Sequence, residues 1–433
     1  MYDVCGEALE VGFCRGQTIA KPSMHDRALL RQLLLFARDC RLLLRFPLCR
    51  DIIGETEGKE GCAMAVNRSA YRGCLLGLAV GDAMGYTVDS RSLAEIREDY
   101  GPNGLLGYDL VNGYAEITSY TQLAAFACNG LLLGITRGQM TGKMAPYVKY
   151  VGLALREWAA SQRAWDRPER TFCYLVTQPE ICRRHCMDTR MLEALSRDPR
   201  RFPLGTPDEP KNRFAGPGSL TTAVSVGLFF DPERMKRGEI DFLGAEAVAL
   251  THGSPLAFLT GAALAHLTSR VARSPNASLR LAVKDTLDAM RVRFGPSYSQ
   301  TYELCNLVSQ AVQLSENNAL APTTVMERLR CENAAEVLSG AVYAVLSGGV
   351  DFDRSMIIAV NHSGRSAAVG AIAGALLGAR LGEEALPSFY LDCLEPADIL
   401  RELADDLFHG CPMDMHSRLF DLDWDRKYLH GGR

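Results

Sequence analysis

The chain has 433 residues, 47% of them apolar, and a formal net charge of −4. That is enough apolar chain for one large buried core or two ordinary ones, and the charge gives no global basic field to draw the protein to nucleic acid or a membrane surface. No apolar run reaches the ~18 residues a membrane-spanning helix needs. The best candidate, Leu29 to Leu48, is broken by Arg31, Arg38, Asp39, Arg41 and Arg45.

The opening MYDVCGEALEVGF carries acids and no basic stretch, so no secretory signal is expected there. Residues 1–63 read unevenly: a start with Gly and Cys, the Leu/Arg segment, then GETEGKEG. They read as a genuine extension with one amphipathic helix, as a disordered extension, or as untranslated sequence ahead of a start at Met64. The expected domain is 64–433. From Tyr71 onward helical spacing dominates, in LLGLAVGDAM, TQLAAFACNGLLLG, APYVKYVGLALREWAASQ, AEAVALTHG, PLAFLTGAALAHLTSRVA, LRLAVKDTLDAMRVRF, TYELCNLVSQAVQLSE and SAAVGAIAGALLGARLG. Several of these end in Gly, as helix C-termini often do. Ser196 to Ser219, rich in Pro, Gly and charge, is the longest irregular stretch, and at that length a functional or mobile loop. The piece around Met356–Val360 has a strand-like look at a loop-to-helix junction. The expected fold is all-α, a single large multi-helix domain.

The 14 cysteines are scattered. Cys182 and Cys186 flank His185, but no second pair completes a zinc site, and free thiols in that number suit a reducing cytoplasm.

Three segments carry a resemblance. Tyr71–Gly85, YRGCLLGLAVGDAMG, is similar to G-x-L-x-G-x-A-x-G-D-A-x-G; Ala249–Ala265 holds a T-H-x-x-P helix start; Asn361–Gly382 is similar to N-H-x-G-D-S-D-[ST]-x-x-A-I-A-G-x-x-x-G-A. In this order, and with the closing PSFYLDCLEPADILRELADDL, they resemble the ADP-ribosylglycohydrolase family, from Tyr71 to about Leu407. The resemblance implies an all-helical domain, two Mg²⁺ ions held by a T-D-D-T turn and by the acids of G-D-S-D-[ST], and cleavage of the glycosidic bond to the ribose of ADP-ribose. Magnesium needs hard oxygen ligands and keeps waters, one of which can serve hydrolysis.

At those positions the chain departs from the pattern. T-D-D-T reads Thr118-Ser119-Tyr120-Thr121, and G-D-S-D-[ST] reads Gly364-Arg365-Ser366-Ala367-Ala368, so four carboxylates are absent and a cation is added. The G-x-x-M-R stretch appears as Gly216 to Thr222, and the acid expected after GDA is at best Asp89. A divalent pair needs several anionic oxygens to offset its desolvation, so no metal cofactor is expected.

Asp82 reads as a support for the site or as a helix cap. His252 reads as catalytic or as part of a capped helix start with Pro in its first turn. Asn361 and His362, ahead of a helix, read as a phosphate cradle or a tight turn. Glu116 and Asp89 are the acids available for metal-free acid–base work. Thr118, Ser119, Tyr120, Gly218, Gly364 and Ser366 complete the expected ligand-binding set, with Arg365 standing where a metal charge stood.

Three functions stay open: a binder of ADP-ribose or a related nucleotide, free or on an ADP-ribosylated protein, that has lost hydrolysis; an active hydrolase by metal-independent chemistry; and a structural or interaction protein. An Arg-rich pocket favours the first, a carboxylate pair across the cleft the second, and a cleft filled by side chains such as Tyr120 the third. No nucleic-acid or membrane partner is expected.

Overall fold

The computed structural model describes residues 68–163, 171–229, 235–236, 238–274, 277–317, 319–416 and 420–432. The expectations for residues 1–63 lie outside them. The described residues belong to one compact unit, Ala63–Arg433. Within them the regular structure is helical, with one isolated bridge between Val111 and Tyr114.

A helix over 68–86 (α1) is followed by α2 (Leu93–Tyr100), α3 (Ser119–Thr141) and α4 (Tyr147–Arg163). Two single turns lead to α5 (Thr189–Ser196), then α6 (Thr222–Phe229), α7 (Glu239–Ala249), α8 (Pro255–Arg273), α9 (Leu279–Arg293) and α10 (Gln300–Leu314). The chain closes with α11 (Pro322–Leu329), α12 (Ala334–Gly348), α13 (Phe352–Val360), α14 (Ser366–Leu381), α15 (Ser388–Asp392), α16 (Ala397–His409) and α17 (Leu422–Tyr428). The strand-like piece at Met356–Val360 is the end of α13. Asp351 caps that helix by accepting from the Arg354 amide, and the local cap overrides the β-branched composition.

Helix α3 is the axis of the core. Every residue from Ser119 to Thr136 is buried, as expected of a helix apolar on all sides. It packs against α4 and α6 and stops at Gly142, in the left-handed conformation that glycine adopts without penalty.

The seam between α1 and α14 explains the glycine spacing of two of the three motifs. Gly73, Gly77 and Gly81 face Gly378, Gly374 and Gly370. A methyl group on any of the six would collide with backbone across the seam. Glycine every fourth residue lines one face of a helix, so the two backbones meet directly. The seam places the end of α1, with Asp82 and then Asp89, beside the start of α14. Its far end is tied by Asp405 of α16, which accepts from Arg68 and Arg72 at 2.7 and 2.6 Å and is held well below the usual carboxylate range, against its own burial, by those guanidinium groups.

Candidate functional site

The start of α3 is organised by Asp82. Its Oδ2 accepts from the Thr118 and Thr121 amides at 2.9 and 3.0 Å, and both threonine hydroxyls donate to the same carboxyl at 2.7 and 2.6 Å. Thr118 caps the helix in turn, its Oγ1 accepting from the Tyr120 amide. Burial pushes the Asp82 carboxyl up to about 6, against the lowering effect of these four bonds. The support and cap readings of Asp82 coincide: a side chain from α1 caps α3.

The two positions where the pattern has acids are filled differently. The Ser119 amide donates to the His185 carbonyl at 2.8 Å, and Ser119 Oγ accepts from the Met187 amide at 3.0 Å. Gln122, one turn on, donates to the Arg183 carbonyl at 2.7 Å and accepts from Trp158 at 2.8 Å. Residues 183–187 thus form a strap stitched across the start of α3. Tyr120 is buried, its carbonyl accepting from Thr221 at 2.7 Å. Burial raises its phenol well above the usual range, and Asp89, Arg365, Asp82 and Asp188 all act on it electrostatically. A phenol therefore sits where the pattern gathers carboxylates.

At the start of α14, Asp89 Oδ1 accepts from the Ala367 amide at 2.9 Å and Oδ2 from Ser90 Oγ at 3.0 Å. Burial raises its carboxyl, and these bonds and Arg365 partly offset that rise. The Arg365 guanidinium donates to Ser90 Oγ at 3.0 Å and lies 3.4 Å from Glu332, with its side chain 42% exposed. Its amide donates to the Cys331 carbonyl. Asn361 pins the loop 101–116 by bonding Leu105 on both its N–H and its C=O, at 2.8 and 2.9 Å. His362 is buried between the Ala359 carbonyl on Nε2 and the Gly364 amide on Nδ1, and burial lowers it to about 4, so it is neutral at pH 7. Ser366 donates to the His362 carbonyl at 3.3 Å. The amides of Ser119, Tyr120, Thr121, Ser363, Gly364, Arg365 and Ala367 all have partners within the chain, so in this arrangement they form no free cradle for an anion.

His252 sits in a cluster that the sequence did not reveal. Its Nδ1 meets the Ser219 and Thr251 hydroxyls, each at 2.9 Å. Its Nε2 stands 3.4 Å from Asp188 Oδ2, too long for a tight hydrogen bond. Burial pushes Asp188 up, but His252 and the α5 amide of Met191 more than offset it, and the carboxyl lies at about 2. Gly218 backs onto both: a Cβ there would approach the imidazole at 2.9 Å and Asp188 at 3.0 Å.

Glu116 belongs to a small cavity of about 160 Å³ lined by Ala83, Tyr86, Thr87, Asp109 and Val111. Its Oε1 lies 3.9 Å from His185 Nε2, while His185 Nδ1 bonds the Ile117 carbonyl at 3.0 Å and its ring stacks on Tyr86. His185, Tyr86, Asp188 and Ser219 are the polar residues of this region that sequence reasoning missed. The text around His185, between Cys182 and Cys186, was the one available signal, and with no second pair to complete a zinc site it was read as thiols.

The residues do not fit a pair of divalent ions. Ser119 Oγ is committed to an amide, Asp82 and Asp89 each cap a helix, and Tyr120 and Ala367 offer no anionic oxygen. Among the described residues no three His, Cys, Asp or Glu side chains are grouped to hold a metal.

Fold and site together define a large all-α protein in which the starts of α3 and α14 are closed by hydroxyls, a phenol and internal caps. Residues 64–416 match the family described as ADP-ribosylglycohydrolase, and the chain belongs to that family. A solved structure described as an ADP-ribosylglycohydrolase-related protein complex is similar in fold, with 23% identity over 79% of this chain and 98% of that one, and a TM-score of 0.50. No curated protein matches the chain.

Proposed function

We propose that this chain recognises an ADP-ribose-like nucleotide, free or carried on an ADP-ribosylated protein, without metal-dependent hydrolysis, and that it does so in the cytoplasm. The observation that carries the reading is the commitment of Ser119 Oγ and of the Asp82 and Asp89 carboxyls to internal partners, with Tyr120 buried among them. A metal pair would have to displace these bonds and then find few anionic oxygens to offset its own desolvation. Nine free cysteines among the described residues suit a reducing compartment.

The test is calorimetry of the full chain with MgCl₂ and, separately, with ADP-ribose. Saturable heat with ADP-ribose and none with MgCl₂ supports the reading, and a saturable magnesium site sinks it. The buried Tyr120 also favours a structural or interaction role, which predicts no nucleotide heat at all.

A further inference from the structure

Two sulfur-bearing pieces of chain meet at the end of α3 opposite Thr118. One is Met140-Thr-Gly-Lys-Met144, which closes the helix and leaves it; the other is Cys411-Pro-Met-Asp-Met-His416, after α16. Helix α3 stops at Gly142 and the chain turns back, so the Met144 thioether lies where a side chain on Gly138 would stand. The second piece reaches the same turn. The Met415 amide donates to the Gln139 carbonyl at 3.2 Å, and a Cβ on Gly142 would come within 3.0 Å of Met415 Sδ. Residues four apart on a helix share a face, with about 5–6 Å between their Cβ positions. Two thioethers therefore occupy neighbouring dents in the last turn of α3, and the dents exist because both residues are glycine.

Core packing does not explain this placement, since Met144 and Met415 are 56% and 55% exposed. The sulfurs beside them are used inward. Met413 is buried and its Sδ accepts from the Asp421 amide at 3.2 Å, while Cys411 Sγ donates to the Met413 carbonyl at 3.3 Å. These bonds tie the segment to Asp421, the cap of α17. The His416 amide donates to Asp414 Oδ1 at 2.7 Å, a turn that sets the exposed His416 directly after Met415.

A thioether is a soft, polarisable, uncharged donor, and imidazole is a common metal ligand. Soft donors select Cu(I), whereas magnesium and calcium need hard oxygens. The sequence neighbours Lys143 and Asp414 carry opposite charges, so a hard divalent ion gains nothing from them. We infer that Met144 Sδ, Met415 Sδ and the His416 ring form a three-donor site for a soft monovalent cation, Cu(I). Methionine is unbranched with three rotatable bonds, so both thioethers can turn onto one ion. They then stand no further apart than two metal–sulfur bonds of about 2.3 Å each. An ion held this way joins the end of α3 to the segment after α16.

The test uses the full chain with methyl-labelled methionine, observed by NMR, after its accessible thiols are alkylated with N-ethylmaleimide. Ag(I) is the probe, because it shares the ligand preference of Cu(I) and does not oxidise; Cu(I) under ascorbate and nitrogen repeats the titration. Met144→Leu and Met415→Leu each remove one sulfur at nearly constant volume and assign the two signals. The Met144 and Met415 methyls should move together along one saturation curve, while the buried Met356 methyl stays. In Met144→Leu the Met415 methyl should respond with at least about tenfold lower affinity, and the converse should hold in Met415→Leu; His416→Ala should cost a similar factor. MgCl₂ and CaCl₂ should move neither signal. Circular dichroism and melting temperature confirm that the alkylated chain and each variant are folded. The inference is overturned if either methyl stays still under Ag(I), if each responds with parent affinity when the other sulfur is gone, if His416→Ala binds like the parent, or if magnesium or calcium moves the same two signals.

Discussion

Substituting Gly81 by alanine probes the seam that brings the two helix starts together. In an ordinary helix interior the change would stabilise by about 1 kcal/mol through backbone entropy. Here the added methyl would meet the Gly370 carbonyl and the Ala371 amide nitrogen, which are backbone atoms of α14 and cannot rotate away. Overpacking costs about 1–3 kcal/mol, and rigid neighbours put this position at the upper end. The net loss is about 2 kcal/mol, or roughly 3 °C in melting temperature for a domain of this scale. Urea unfolding and thermal melts of Gly81→Ala measure it, with Gly107→Ala as control, since a methyl there has nothing within 4 Å. If the two variants melt together, the seam is not in direct backbone contact and its role in placing Asp82 fails.

Asp188→Asn should destabilise by about 1–3 kcal/mol at neutral pH, because His252 then loses its charged partner in a buried position. The Asp188 carboxyl lies at about 2, below its ordinary value, so its contribution is present above the ordinary carboxylate range and is lost as pH falls through about 2. The gap between parent and variant should therefore close in acid, and a gap independent of pH contradicts a role for the Asp188 charge. Arg365→Ala should change ADP affinity less than about twofold and stability by less than about 1 kcal/mol, because its guanidinium is turned to Ser90 and Glu332 at the surface. A tenfold loss of ADP affinity would show that Arg365 clamps the ligand in place of the metals.

The helices were legible because their apolar spacing runs long and their ends carry glycines such as Gly142 and Gly382, both with positive φ. The motif glycines were legible as a pattern, but not as a seam, since a seam appears only when two segments nearly 300 residues apart are laid together. The absence of acids at Ser119, Tyr120, Arg365 and Ala367 could be read directly from the chain. What replaces them could not. The strap at 183–187 and the cluster of Asp188, Ser219 and His252 join residues far apart in sequence, with no periodicity to announce them. Asp89 had the look of a spare acid in sequence, and only the position of Ala367 reveals it as a helix cap. The irregular stretch does run without a helix from Arg197 to Ser219, and it supplies much of the lining of the cavity beside α5.

The central claim is that the closed helix starts cannot support metal-dependent cleavage. The direct measurement is release of ADP-ribose from ADP-ribosyl-arginine and ADP-ribosyl-serine proteins by the full chain, with saturating MgCl₂ and with EDTA. The account predicts no release above the uncatalysed background in either condition. Magnesium-dependent turnover, abolished by EDTA, would contradict it.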